Sequence, residues 1–213
     1  GKTGINSVAG KNLIGSFHSP VAVLIDLSWT KTLSDRDFSA GLAEVIKCGF
    51  IKDVEILRLL TGKKLSDLRT SDSLLEELIE RSAAVKAEVV SNDFKESELR
   101  EILNYGHTLG HAIESHGKYQ LRHGEAVSIG MVFVAELAQE ILGLSDQVVE
   151  RHRAILRSYN LPITYPVDAW PELLKLMLVR SDNHAADTLC DNYPGGRSGC
   201  VNAMNHKAIK LGT

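Results

Sequence analysis

From Ser34 to about residue 178, apolar residues recur at the three- and four-residue spacing of a helix face, and this limits the fold more than any other feature. Phe38, Leu42, Val45 and Ile46 form one such stripe. Leu74, Leu75, Leu78, Ile79, Val85 and Val89 form another, on a helix starting near Ser73. The same period predicts helices over about 98–115, 124–142, 146–159 and 170–179. Ser34-Asp-Arg-Asp37 reads as a capped helix start with acidic side chains in its first turn. Pro162 and Pro166 mark a turn before the last helix. The expected fold is mainly α: a helical domain over 34–178, a glycine-rich piece over 1–33 and a polar tail over 179–213. In the first piece, Val21-Ala-Val-Leu-Ile-Asp26 reads as a buried strand, although a lone strand has nothing to pair with.

Charge and composition remove several classes of function. With a net charge of -3, the chain has no field to attract nucleic acid or anionic lipid. The charge-free run Ala126–Ala135 is far short of the roughly 20 residues of a membrane span. Three cysteines, Cys48, Cys190 and Cys200, are too few and too scattered for a disulfide framework. With no secretory leader pattern, a cytoplasmic location is expected.

Of eight histidines, His107, His111, His116 and His123 are crowded into one short stretch. His107 and His111 are four apart, so both imidazoles share a helix face. His123 opens the next helix, and two helices joined by a short loop pack antiparallel. Nitrogen donors converging in this way suit zinc, with a carboxylate as a further ligand. Glu44, Glu114 and Glu125 are the candidates, and spacing alone does not say which histidines bind metal or whether they only pack between helices. Lys47, Lys86, Arg100 and Asn104 supply polar and cationic groups that would grip a phosphorylated or carboxylated small molecule.

Six motifs carry a family resemblance. They are Gly1-Lys-Thr-Gly-Ile-Asn6, Gly10-Lys-Asn-Leu-Ile-Gly15, Ala43-Glu-Val-Ile-Lys47, Lys86-Ala-Glu-Val-Val90, Leu103-Asn-Tyr-Gly-His-Thr-Leu-Gly-His-Ala-Ile-Glu114 and His123-Gly-Glu-Ala-Val127. In order and spacing they resemble 3-dehydroquinate synthase from residue 1 to about 178. The resemblance implies an α/β NAD-binding domain, with 1–33 as its last piece, followed by a helical zinc domain. It implies Glu44, His107 and His123 as zinc ligands, with cobalt as an alternative metal. It makes His111 and Glu96 proton-transfer residues. Asn12, Lys47, Lys86, Arg100 and Asn104 match substrate-binding positions, and Lys2, Lys11, Trp29, Thr30, Lys31 and Thr32 match NAD-lining positions. The implied reaction converts a seven-carbon sugar acid phosphate to 3-dehydroquinate in the shikimate pathway, with phosphate released and NAD regenerated, in a homodimer. The related metal-dependent polyol dehydrogenases and a metal-binding fragment without turnover are the alternatives.

The chain also departs from that pattern. The family's earlier sheet and its glycine-rich NAD loop have no counterpart here, which sets the expectation of zinc binding with little or no turnover. Asp93-Phe94 lacks the acidic residue that usually follows the aspartate. After Met177 the expected Asp-Lys-Lys segment is replaced by Arg180-Ser-Asp-Asn-His-Ala-Ala-Asp187. Ser181-Asp-Asn183 and Val201-Asn-Ala-Met-Asn205 resemble the D-alanyl-D-alanine carboxypeptidases. Peptidase chemistry would need Ser-x-x-Lys and Lys-Thr-Gly elements in a different order, so it is not expected.

Overall fold

In the computed structural model, the described residues are Ile5–Ser7, Gly10–Ile14, residues 21–92 and 99–180, and the isolated positions 198–199 and 202. Glu96, Lys2 and nearly all of the 179–213 tail lie outside them, and the side chains of Lys11, Asn12 and Arg100 are likewise outside. The chain divides into two compact units, Gly1–Lys31 and Thr32–Thr213.

The first unit contains strands β1 (Ile5–Ser7) and β2 (Gly10–Ile14), paired antiparallel with Ile5 opposite Ile14 and Ser7 opposite Gly10. The segment Val21–Asp26 is not the buried strand its composition suggests. It joins no ladder among the described residues, and Val21, Val23, Leu24 and Ile25 are all exposed. An apolar run becomes a strand only where a neighbour accepts its backbone groups. A short 3-10 helix, Leu27–Thr32, follows and carries Trp29, Thr30, Lys31 and Thr32, with Trp29 well exposed.

The second unit is helical: α1 (Asp35–Ile51), α2 (Val54–Leu60), α3 (Leu65–Thr70), α4 (Asp72–Asn92), α5 (His107–His116), α6 (His123–Leu142), α7 (Asp146–Ser158) and α8 (Trp170–Arg180). Ser34 caps α1 as expected, its Oγ accepting from the Asp37 N–H at 3.1 Å. Helices α2 and α3 were not evident from the sequence, because 7 and 6 residues are too few to display a period. The expected helix over 98–115 is interrupted. Leu99–Asn104 is a 3-10 helix, Gly106 turns the chain with φ +78°, and α5 begins afresh at His107.

Helix α6 is mostly apolar and is buried on all sides from Gly124 to Phe133, the mark of a helix at the centre of a bundle. Val127, Met131 and Val132 join α1, α2, α4 and α7 in one core around Ile46, Ile56, Leu60, Leu78 and Leu156. Its other face, Ala126, Ile129 and Phe133, packs against α5 and α8 through Leu109, Ile113, Trp170 and Leu173. Each large aliphatic side chain so enclosed contributes about 1.5–3 kcal/mol. The central helix is therefore held from both sides, and its first residue, His123, inherits that rigidity. Among the described residues no helix is long and apolar enough to cross a membrane.

Candidate metal centre

Three helices deliver the candidate ligands. Glu44 and Lys47 lie on α1, His107 and His111 on α5, and His123 opens α6. Glycines bring these helices together. A Cβ on Gly130 would sit 1.9 Å from the Gly106 carbonyl oxygen, and one on Gly110 would sit 3.2 Å from the Val127 Cα. Residue 106 thus faces 130 and residue 110 faces 127, so α5 and α6 run antiparallel in near-backbone contact. Gly124 does the same toward α1, where a Cβ would fall 1.8 Å from the Ala40 carbonyl oxygen.

Two crossed ion pairs fasten the same corner. Arg36 grips Glu125 with Nε–Oε1 at 2.6 Å and Nη2–Oε2 at 2.7 Å. Arg122 Nε donates to Asp37 Oδ1 at 2.7 Å. Glu125 Oε2 also accepts from the Arg122 backbone N–H at 2.8 Å.

At the centre, Glu44 Oε1 lies 3.4 Å from His107 Nε2 and 3.5 Å from His123 Nε2. That buried oxygen has no hydrogen-bond partner, while Oε2 of the same carboxylate takes the Lys47 ammonium at 2.7 Å. The other ring nitrogens are already engaged. His107 Nδ1 meets the Tyr105 carbonyl oxygen at 3.2 Å, and His123 Nδ1 meets Glu114 Oε2 at 3.2 Å. Both partners are acceptors, so each Nδ1 carries a proton. His107 Nε2 is thereby left with a lone pair toward Glu44, while His123, whose protonated form its two carboxylate neighbours favour, offers Nε2 to a metal by releasing a proton.

Bonds of about 2.0–2.1 Å in a tetrahedron place neighbouring ligand atoms roughly 3.3–3.5 Å apart, which these separations match. The donor set therefore fits zinc, and the supporting Tyr105 carbonyl and Glu114 carboxylate are the kind of partner that orients ligating imidazoles.

The electrostatics agree. Burial works against the Glu44 charge, but His123, Lys47 and His107 outweigh it and hold the carboxyl well below its usual range. Glu114 and then Glu44 push His123 up to about 9. Burial, assisted by the Lys47 charge, lowers His107 to about 4. Around His123 the Glu114 and Glu44 carboxylates concentrate negative charge, which a proton or a metal cation satisfies, whereas burial and Lys47 keep His107 neutral.

His111 is exposed, with its ring 5.3 Å from that of His107 and 5.8 Å from that of His123. One nitrogen from each of His107, His111 and His123 lies within 4.8 Å of the others. Among the three carboxylate candidates, Glu125 is occupied by Arg36 and Glu114 supports His123 from behind, which leaves Glu44 facing the centre. Lys47 is buried beside it. Lys86 is exposed on α4, and Asn104 is partly buried at the end of the 3-10 helix before Tyr105. The supporting roles of Tyr105, Arg36 and Asp37 were not evident from the sequence. Only the Glu three residues after Arg122, a capping pattern, hinted at the corner they build.

Two family models match the chain in tandem: 3-dehydroquinate synthase N-terminal over residues 1–40 and 3-dehydroquinate synthase C-terminal over residues 41–183. The chain is 56% identical over 178 residues to a 3-dehydroquinate synthase of Mycolicibacterium gilvum, which covers 84% of this chain and 50% of the relative. It is 54% identical over 177 residues to that of Mycobacterium leprae, covering 83% and 49%. It thus spans about half the length of the curated relatives it matches. Among solved structures, 2-epi-5-epi-valiolone synthase of Streptomyces hygroscopicus, with NAD+ and Zn2+ bound, superposes with a TM-score of 0.74 at 29% identity, covering 83% of this chain and 50% of that one. A 2-deoxy-scyllo-inosose synthase complexed with carbaglucose-6-phosphate, NAD+ and Co2+ gives 0.64 at 26% identity, covering 83% and 48%.

Proposed function

Because the chain belongs to the 3-dehydroquinate synthase family, we propose that it supplies the metal- and substrate-holding part of that enzyme. The substrate in this reading is the seven-carbon sugar acid phosphate, converted to 3-dehydroquinate with loss of phosphate. The observation that carries the reading is Glu44 Oε1, a buried oxygen without a hydrogen-bond partner, aimed between two imidazole nitrogens. Residues 1–33 then belong to the NAD-binding domain, 34–178 form the zinc and substrate domain, and 179–213 are a tail of separate origin. The reading places the protein in the cytoplasm, in keeping with its few scattered cysteines, and as a homodimer, as the family resemblance implies.

In this reading Glu44, His107 and His123 hold the metal. A zinc ion there supplies Lewis-acid polarisation of substrate hydroxyls, and bound NAD supplies the transient alcohol oxidation. The chain's own residues do the rest. Lys47, buried and charged, keeps Glu44 anionic and presents an ammonium to an anionic substrate group. Lys86, Arg100, Asn104 and Asn12 orient the substrate carboxylate and phosphate. His111, exposed beside the metal ligands, moves a proton at a substrate oxygen through its imidazole, with Glu96 as a second acid–base group. Lys2, Lys11, Trp29, Thr30, Lys31 and Thr32 are the residues assigned to NAD.

Metal analysis and turnover test this together. Wild type should carry one zinc per chain and His123→Ala almost none. Undiminished zinc in His123→Ala would reject the ligand set. With zinc, NAD and a complete family NAD-binding domain supplied, phosphate release from the seven-carbon substrate without accumulating NADH is expected, whereas the chain by itself should turn over little or not at all. Net NADH production would instead favour the polyol dehydrogenase reading.

A further inference from the structure

We propose that His152, on α7 and remote from the ligands in sequence, is a positioning residue for the metal centre, acting through Tyr105 on His107. The inference rests on the metal reading above.

His152 is 4% exposed, and its ring stacks on Phe50 with centroids 3.6 Å apart and planes 8° from parallel. Its Nδ1 lies 2.7 Å from the Val148 carbonyl oxygen. A carbonyl only accepts, so Nδ1 carries the proton and Nε2 is left as an acceptor. Burial lowers this imidazole below its ordinary range, which keeps it in that neutral form. Nε2 stands 3.0 Å from the Tyr105 hydroxyl, which therefore donates to it.

Tyr105 is the residue whose backbone carbonyl accepts from His107 Nδ1 at 3.2 Å. The hydroxyl anchor at one end of Tyr105 thus fixes the carbonyl at the other. Gly106 follows at φ +78°, with no room for a Cβ against Met131, so the backbone between Tyr105 and His107 has little freedom of its own. The series runs from Val148 on α7 through the His152 ring and Tyr105 to His107 Nδ1, and ends at His107 Nε2 aimed at Glu44. Phe50 completes it, since it lies on α1, the helix that carries Glu44. His152 therefore ties the α1 and α5 sides of the metal centre to a common support on α7.

Partners that touch a ligand directly change metal affinity by about 10–100-fold. A residue acting one step further out should fall below that range, at about 3–10-fold. The test is zinc affinity by chelator competition, together with the visible absorption band of the cobalt-loaded protein. His152→Phe keeps the ring stacking and removes the acceptor, while Tyr105→Phe removes the donor. Each should weaken zinc binding by about 3–10-fold and shift the cobalt band, and the double variant should lose no more than the worse single one. His152→Gln, which restores an acceptor toward Tyr105, should recover much of the loss. Tyr159→Phe deletes another buried hydroxyl bond, to the Leu60 carbonyl at 2.8 Å, and should lower thermal stability without altering zinc affinity or the cobalt band.

Wild-type zinc affinity and an unshifted cobalt band in His152→Phe would overturn the proposal, as would additive losses in the double variant. If His152→Phe does not fold, Tyr105→Phe and His152→Gln carry the same comparison. A wild-type chain that binds no zinc would overturn the metal reading, and this inference with it. Wild-type binding with an indifferent His152→Phe would overturn this inference alone.

Discussion

Gly124→Ala should damage both the fold and the metal centre. The added methyl would lie 1.8 Å from the Ala40 carbonyl oxygen and 2.7 Å from its carbon, whereas ordinary contact begins at 3.4 Å. The two backbones would have to part by about 1.6 Å, and no flexible side chain is available to yield instead. Overpacking usually costs about 1–3 kcal/mol, so a backbone-on-backbone clash belongs at about 3 kcal/mol or more. In a domain of this size that lowers Tm by roughly 6–12 °C.

The effect on metal follows from position. Ala40 and Glu44 are one turn apart on α1, and Gly124 adjoins His123, so the contact lies directly beside the Glu44–His123 pair. Metal–ligand distances tolerate only about 0.2 Å. Zinc affinity should therefore fall by about 100-fold, the upper end for disturbed ligand support. Thermal unfolding by circular dichroism, with and without zinc, together with chelator competition, measures both effects. Gly41→Ala on the same helix is the control. Its Cβ would meet nothing within 4 Å, so it should stabilise by about 0.4–1 kcal/mol. If Gly124→Ala melted within about 2 °C of wild type and held zinc equally well, the account of how α6 seats on α1 would be wrong.

Glu114→Gln keeps the shape but removes the charge behind His123 Nδ1, and zinc affinity by chelator competition should fall about tenfold. His111→Ala should retain zinc by metal analysis and, with a complete family NAD-binding domain supplied, lose phosphate release, whereas loss of metal would make His111 a ligand. Ser34→Ala removes the α1 cap at a cost of about 1 kcal/mol, read by urea denaturation. The Ser34 hydroxyl, then Arg122, hold the Asp37 carboxyl below its ordinary range. That stabilisation is present above the unfolded value of about 3.9 and is lost as pH falls through the folded one, so the gap between Ser34→Ala and wild type should narrow on acidification below about pH 4.

Helices α1, α4, α6, α7 and α8 were legible in the sequence because their signals are local. A 3.6-residue apolar period and a capping serine act within a few residues of one another, whatever the chain does elsewhere. The clustering of His107, His111 and His123 was legible for the same reason, and the family motifs added roles to it. Gly106 misled the reading, because a glycine within a helical pattern gives no local sign of whether it will bend the chain. Its left-handed turn lies where a Cβ would strike Met131 and Val127 of α6, a contact that no local stretch of sequence shows. Val21–Asp26 misled it in the opposite sense, since strand composition cannot supply the neighbouring backbone that makes a strand.

Residue spacing left three carboxylates open and the family motifs named Glu44, but only the tertiary structure gives the physical reason why Glu44 faces the imidazoles. Glu44, Glu114 and Glu125 are equivalent as residue types, and what separates them is Arg36, Lys47 and the far nitrogen of His123, each brought from another turn or helix. It also brought His152 to Tyr105 across 47 residues of chain. Periodicity reports which face of a helix is buried. The partner met on that face depends on how every other helix packs, which no short window of sequence contains.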